Sequence, residues 1–402
     1  MPSDARSPRV FLTIDNCFAS KRWTRPGQWM ELVRQLGLGF VEASADTEAD
    51  PLFCGEDYME RWVEEVARCE QASGVKVVNL YSGHGTYTTL GLGHTEESVR
   101  RRMLERWVKP MVRAAAGLKA GLGFYCHAFP DEVLQDPDSY AEQLAQLSGL
   151  LSEVAAYGKS QGVAAVGVEQ MYSPHQVPWT IEGARDLIRR VFGDSGAPLY
   201  ITIDTGHQTG QARFARPDPS TIVARARAAR DTAGAVGPWL GSRKAADRFE
   251  QCARNGGAVS SRDLDFLLDD MDRHPFLFSA PQDADTYAWL GALGCFSPIV
   301  HLQQVTGASS SHLPFTAGTN RAGIIHADKV LQSLLESYQQ VPENDLPPRA
   351  KEIYLTLEIF AGTAETPGEI LAKLRESVAY WRGYVPQDGM SLESLVGRAA
   401  RP

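Results

Sequence analysis

The sequence predicts an α/β fold, a (β/α)8 TIM barrel with a long helical insertion after strand six, and three observations predict it. Short apolar runs of strand character alternate with longer amphipathic segments along the 402-residue chain. The runs number eight, the count that closes a parallel barrel. The G-x-G-x-x-G turn that announces a doubly wound open sheet after an early strand is absent.

The strand-like runs are VFLTIDNCFA (10–19), GFVEASA (39–45), VKVVNLYSGH (75–84), LGFYCHA (122–128), AAVGVEQM (164–171), PLYITIDTGH (198–207), PIVHLQQ (298–304) and IYLTLEIF (353–360). β-Branched and bulky apolar residues dominate them, as buried strands require. Helical segments lie between, among them 98–120, 139–162 and 181–192. In the first, Met103, Trp107, Met111 and Ala114 recur at spacings of three and four, one face of a helix. Thr180 directly before IEGARD, with Glu182 in the first turn, marks a helix start. The alternation breaks once, over 208–296, where IVARARAARDTA, SRKAADRFEQCARN and RDLDFLLDDMDRH are helical and no strand stands out. We read 208–296 as a helical excursion lying over the barrel mouth, within a single TIM-barrel domain spanning 1–402, since long connections of this kind serve as lids or interaction elements.

Composition narrows the function. Apolar residues make up 43% and charged residues 22%, as in an ordinary globular protein. The net charge of −9 argues against nucleic acid and against an anionic membrane surface, which both reward basic patches. No run of about 18 apolar residues suggests a membrane span, and MPSDARSPRV lacks the apolar core of a signal peptide. Cysteines 17, 54, 69, 126, 252 and 295 form no C-x-x-C pair. They suit small core positions in a reducing, cytoplasmic setting. The expected partner is a small molecule, and a homo-oligomer is compatible with all of this.

Barrel active sites form at the C-terminal ends of strands, and here those ends are unusually polar. The run LYITIDTGHQ (199–208) is apolar for most of its strand and then presents Asp204 and His207. Glu169-Gln170 end the fifth run, His301 with Gln303-Gln304 lies in the seventh, and Glu358 in the eighth. A lone buried carboxylate costs several kcal/mol unless paired or coordinated. One such glutamate is more often surface-exposed or salt-bridged, and a lone His301 is as often a satisfied core histidine. Four such groups on four consecutive strands converge if the barrel closes, and a divalent cation is the simplest way to offset three carboxylates. Glu169, Asp204, His301 and Glu358 are therefore the candidate metal ligands, with His207 facing whatever the metal holds. His127 in FYCHAFP and His84 in YSGHG also fall at strand ends, each as often outside the pocket as lining it, and His127 is carried as a pocket residue; Asp15 and Asn16 carry less weight. HGTYTTLGLG (84–93) could cradle a phosphate, but glycine richness alone usually marks a turn.

At these residues the chain resembles the sugar isomerase/epimerase superfamily built on xylose isomerase-like TIM barrels, which includes the ketose 3-epimerases and hydroxypyruvate isomerase. In the epimerase branch a strand-five Glu, a strand-six Asp, a strand-seven His and a strand-eight Glu hold one divalent ion, often Mn²⁺. Those positions match Glu169, Asp204, His301 and Glu358, and the D-x-x-H unit of strand six matches Asp204 and His207, whose histidine contacts substrate in that branch. The resemblance spans roughly residues 8–380. It departs in strand seven. The branch has Gly-Glu after the histidine and an Arg six residues on, whereas this chain has Gln303-Gln304 and Gly307. Arg321, from the following loop, is the residue that would take the Arg's place, with Gln303 beside the substrate. The passage HLQQVTGASSSHLPFT resembles a tetrulose-phosphate isomerase subgroup, and the strand-six insertion is atypical of the short epimerases.

The resemblance implies a metal-dependent sugar or sugar-phosphate isomerase or epimerase. Both reactions remove a proton next to a carbonyl: a divalent ion acts as Lewis acid, stabilising an enediolate, and a carboxylate takes the proton and returns it. Glu169 and Glu358 would be the acid/base pair; His207, His127, Gln303 and Arg321 would contact the sugar. The ligand set suits Mn²⁺, Mg²⁺, Co²⁺ or Zn²⁺, and the resemblance puts Mn²⁺ first. One rival is an endonuclease-IV-like metal-dependent phosphodiesterase, which needs more histidine ligands and a cationic groove. The other is a non-catalytic carbohydrate-binding protein on the same barrel.

Overall fold

The computed structural model describes residues 7–231 and 237–399. Strands β1 (Arg9–Asp15), β2 (Phe40–Ser44), β3 (Lys76–Tyr81), β4 (Gly121–Phe124), β5 (Val166–Glu169), β6 (Tyr200–Asp204), β7 (Ile299–Leu302) and β8 (Glu352–Leu357) pair in parallel, in chain order. β1 pairs with both β8 and β2, which closes the barrel. Only the last two residues of β1 reach β2 (Ile14 opposite Val41, Asp15 opposite Glu42). The start of β1 is instead covered by β9 (Met390–Ser391), antiparallel to Arg9 and Val10, an element the sequence reading does not contain.

All eight predicted runs hold a strand, and most strands stop two or more residues short of the predicted C-terminal end. Those surplus residues are where the backbone leaves the ladder to form site loops. Between strands, the helices bury their apolar faces on the barrel. Met103, Trp107, Met111 and Ala114 are all buried, as their spacing requires. Their helix is not continuous: a π turn over Leu104–Val108 separates Glu97–Met103 from Lys109–Leu118. It ends two residues before Pro110, which has no N–H to continue the i→i−4 ladder. Thr180 caps Ile181–Ser195 by accepting from Gly183 N at 3.1 Å, and Gly196 ends that helix at φ 62°. Trp29, Trp107, Trp289 and Trp381 are fully buried in the main core. Truncating any one to alanine should cost about 3–5 kcal/mol.

The barrel interior is polar at mid-height, with Thr13, Asn79, Thr202 and Thr356 all buried. β4 offers glycines there. A Cβ on Gly121 would lie 2.5 Å from Asn79 Oδ1, and one on Gly123 would lie 3.0 Å from the Tyr81 ring. Bare β4 thus lets Asn79 and Tyr81 lean across the barrel.

Between β6 and β7 run helices Pro219–Asp231, Arg243–Arg254, Ser261–Arg273 and Thr286–Leu293. Thr232 and Ala233, the end of the predicted run IVARARAARDTA, lie outside the described residues. Ile222, Ala226, Leu240, Ala245, Phe249, Leu267 and Met271 form a small core of their own here. The segment also meets the helix after β4, Pro137–Gln161, and the loop after β6. Tyr140 stacks on Phe276 at 3.9 Å between ring centroids, and Thr286 Oγ1 donates to the Thr205 carbonyl at 2.9 Å. No helix among the described residues is long and apolar enough to cross a membrane.

Candidate metal centre

Glu169 and Asp204 are the last residues of β5 and β6, His301 lies within β7, and Glu358 directly follows β8. All four side chains are buried, and one ligand-capable atom from each lies within 4.8 Å of the other three. Atoms each about 2.0–2.5 Å from one ion stand at most about 5 Å apart, so the spacing suits a shared ion.

The hydrogen bonds show why these groups hold still. Asp204 Oδ1 accepts from Gly206 N at 2.6 Å, His207 N at 3.1 Å and Gln303 Nε2 at 2.7 Å. Its Oδ2 is buried without a partner. Glu169 Oε2 accepts from the phenols of Tyr81 and Tyr87, which leaves Oε1 3.1 Å from His301 Nδ1. Glu358 Oε2 lies 3.4 Å from His301 Nδ1 and 3.3 Å from His312 Nδ1, but out of line for a hydrogen bond, so it too is an orphan. Two buried carboxylate oxygens without donors are an expensive arrangement unless a cation faces them. The residues present therefore fit a divalent ion.

Electrostatics points the same way. Asp15, Glu42, Glu169, Asp204 and Glu358 put five buried carboxylates in one barrel mouth. Burial pushes Asp15 well above the usual carboxylate range, helped by Glu42 and Glu358. Burial also raises Asp204, only partly opposed by His207. Burial acts on Glu358 in the same direction, but the imidazoles of His301 and His312 outweigh it and hold this carboxyl well below its usual range. Glu169 is lowered for the same kind of reason, its burial outweighed by His207 and His301. Burial and the Glu169 charge keep the Tyr81 and Tyr87 phenols protonated, hence donors.

Of the other predicted site residues, His207 is buried beside the four. Its Nδ1 pairs with the Gln170 carbonyl at 2.7 Å, and its Nε2 lies 4.0 Å from Asp204 Oδ1. Gln303 is placed behind Asp204 rather than in front of it. Its amide donates to Asp204 and to Ser310 Oγ at 2.9 Å, and its carbonyl accepts from His312 N at 2.7 Å. His127 is committed to the Val177 carbonyl at 2.5 Å and does not join the cluster. Arg321 is exposed, at the end of helix Ala317–Asn320, with Nε donating to the Ala317 carbonyl at 3.3 Å. It stands outside the buried cluster. The glycines of HGTYTTLGLG serve packing: a Cβ on Gly91 would lie 1.8 Å from the Cys126 carbonyl oxygen, and one on Gly93 2.4 Å from that of Ala128.

Four residues at the site are absent from the sequence reading: Glu42, Tyr81, Tyr87 and His312. Glu42 in GFVEASA carries the same signal as the ligands, an acid within an apolar strand. Tyr81, Tyr87 and His312 carry none, a phenol at a strand end and loop residues being ordinary. A cavity of about 1580 Å³ opens at the other end of the barrel, lined by Arg9, Lys76, Tyr200 and Arg349 among others. It contains none of the five carboxylates of the barrel mouth, and chemistry in this fold belongs to the C-terminal face.

Comparison with known proteins agrees with this fold. A candidate xylose isomerase from Rhodospirillum rubrum ATCC 11170 superposes with a TM-score of 0.67 at 18% identity, over 93% of this chain and 99% of that one. An L-ribulose 3-epimerase superposes with a TM-score of 0.52 at 14% identity, over 98% and 100%. At these identities the likeness is one of fold. In sequence, D-erythrulose 1-phosphate 3-epimerase of Brucella abortus (strain 2308) is 28% identical over 128 residues, 32% of this chain and 38% of that protein, so well under half of its length is matched. The family profile described as xylose isomerase-like TIM barrel matches residues 30–252, more than half of the chain. The protein belongs to the xylose isomerase-like TIM barrel family.

Proposed function

We propose that this protein is a cytoplasmic, divalent-metal-dependent sugar-phosphate isomerase or epimerase, and within that class a 3-epimerase of short ketose phosphates. One observation carries the reading. Two buried carboxylates, Glu169 from β5 and Glu358 from β8, each set an oxygen within 3.4 Å of one imidazole nitrogen, His301 Nδ1. The match to an erythrulose-phosphate epimerase supports the substrate class, as does the strand-seven passage already noted.

Glu169, Asp204, His301 and Glu358 would hold the ion, which when bound supplies Lewis acidity toward a substrate carbonyl. The chain's own residues supply the rest. One glutamate removes the proton from the carbon beside the carbonyl, and the other returns a proton to the opposite face. Tyr81 and Tyr87 fix Glu169 through Oε2 and so hold its Oε1 toward His301. With Nδ1–H of His207 donated to the Gln170 carbonyl, its Nε2 is left to meet a sugar hydroxyl. His312, half-buried beside Phe360, is placed to do the same from the β7 loop.

The test is turnover of Mn²⁺-reloaded protein on erythrulose 1-phosphate and on unphosphorylated erythrulose, compared with Glu169→Gln and Glu358→Gln. Either change removes a base, so turnover should fall by at least ~10²-fold in both variants. Full activity in either would contradict a two-base epimerase.

A further inference from the structure

We infer that Glu42 is a positioning residue: it binds the Nε2 proton of His301 and so commits Nδ1 of that ring to the metal. The inference rests on the metal reading above. Glu42 Oε2 lies 2.8 Å from His301 Nε2, and both side chains are fully buried. Its other oxygen, Oε1, accepts from Asn79 Nδ2 at 2.6 Å. The local fold builds this contact. The register between β2 and β3 slips by one residue after Val41, from Val41 opposite Val77 to Glu42 opposite Asn79, a bulge that aims Glu42 inward. Gly121 on β4 leaves the room that Asn79 occupies.

Geometry divides the ring. Nε2 faces Glu42 Oε2 at hydrogen-bond distance, so Nδ1 is the nitrogen left on the side of the other ligands. Nδ1 then presents its lone pair to Glu169 Oε1 at 3.1 Å and Glu358 Oε2 at 3.4 Å. Lone pair against two carboxylate oxygens is repulsive unless a cation lies between them. A carboxylate on the far nitrogen fixes the tautomer of a ligating histidine and raises its basicity.

The same geometry answers a competing arrangement. Asp15, Glu42 and His301 also bring ligand-capable atoms within 4.8 Å of one another. An ion there would have to take a Glu42 oxygen from Asn79 or from His301, and Asp15 Oδ1 already accepts from Cys17 N at 2.5 Å. Glu169, Asp204 and Glu358, by contrast, include the two orphaned oxygens.

Two measurements on the full chain test the assignment. In wild-type protein labelled with ¹⁵N-histidine and titrated with Zn²⁺, NMR should show His301 bound through Nδ1, with Nε2 carrying a slowly exchanging proton. Coordination through Nε2 would overturn the assignment. In chelator competition, Glu42→Gln, which keeps an acceptor but loses the charge, should bind metal about 10-fold more weakly, and Glu42→Ala up to about 100-fold. The visible spectrum of bound Co²⁺ should shift in both, a change that a merely structural role would not produce. Wild-type affinity and spectrum in Glu42→Gln would overturn the role of Glu42. If the variants fail to fold, the wild-type NMR result still decides which nitrogen binds. Wild-type metal affinity in Asp204→Asn, or no binding by wild-type protein, would instead overturn the metal reading itself, so the two failures are told apart.

Discussion

His127 and His301 are both buried histidines at the C-terminal side of barrel strands, and their surroundings set them apart. His301 has carboxylates on both ring nitrogens, which outweigh burial and raise it well above its ordinary value. His127 has only the Val177 carbonyl, and burial pushes it from 6.5 down to about 4. Below 6.5 the unfolded chain takes up a proton at this residue that the folded chain refuses until about 4. Stability from His127 is therefore complete above 6.5 and falls as the pH drops toward 4. Between about pH 7.5 and about pH 4.5, urea titrations should show wild-type protein losing roughly 2–3 kcal/mol more than His127→Gln. Equal losses would place the imidazole in contact with water.

The residue scale also shows what the sequence exposes. Glu169, Asp204, His301 and Glu358 are legible because a charged or imidazole group inside an apolar run is costly and needs a reason. Glu42 obeys the same rule, yet it lies on a strand for which the resemblance offers no ligand, so it reads only as part of β2. Tyr81, Tyr87 and His312 are illegible for a different reason. Their roles come from bare β4 and from loop paths, which side-chain periodicity does not encode.

At the level of elements, the loop after β7 is tied across the mouth by one side chain. Gln303 joins Asp204 on one side to Ser310 and His312 on the other, and His312 is held at φ 45°, where a non-glycine residue needs support. Gly206 makes room for it, since a Cβ there would lie 2.4 Å from the Gln303 carboxamide carbon. In a sequence, a glutamine after a strand-end histidine suggests a substrate contact; only the loop's path shows its amide and carbonyl already engaged. Gln303→Leu should weaken metal binding about 10–100-fold, the range for lost partners of a ligand. It should also remove hydrogen-exchange protection from the His312 amide. Unchanged metal affinity would mean that Asp204 does not depend on this brace. The strands themselves are the best-read elements, because burial on both faces leaves a long apolar signature. Their C-terminal ends are the worst, because site residues remain apolar-flanked after the ladder has stopped.

For the whole molecule, the closed barrel follows from the count and order of strands, while β9 and the path of the 208–296 segment do not. That segment has its own small core but also stacks Phe276 on Tyr140 and bonds Thr286 to the end of β6. We expect it to unfold with the barrel as one unit. Calorimetry should then give one transition whose calorimetric and van't Hoff enthalpies agree; two separable transitions would make the segment a domain of its own. The central claim, proton transfer by Glu169 and Glu358 next to a substrate carbonyl, has a more direct test. Mn²⁺-loaded protein turning over erythrulose 1-phosphate in D₂O should place solvent deuterium on carbon 3 of the product, because a two-base exchange returns a proton other than the one removed. Product that keeps its original hydrogen throughout would contradict the account.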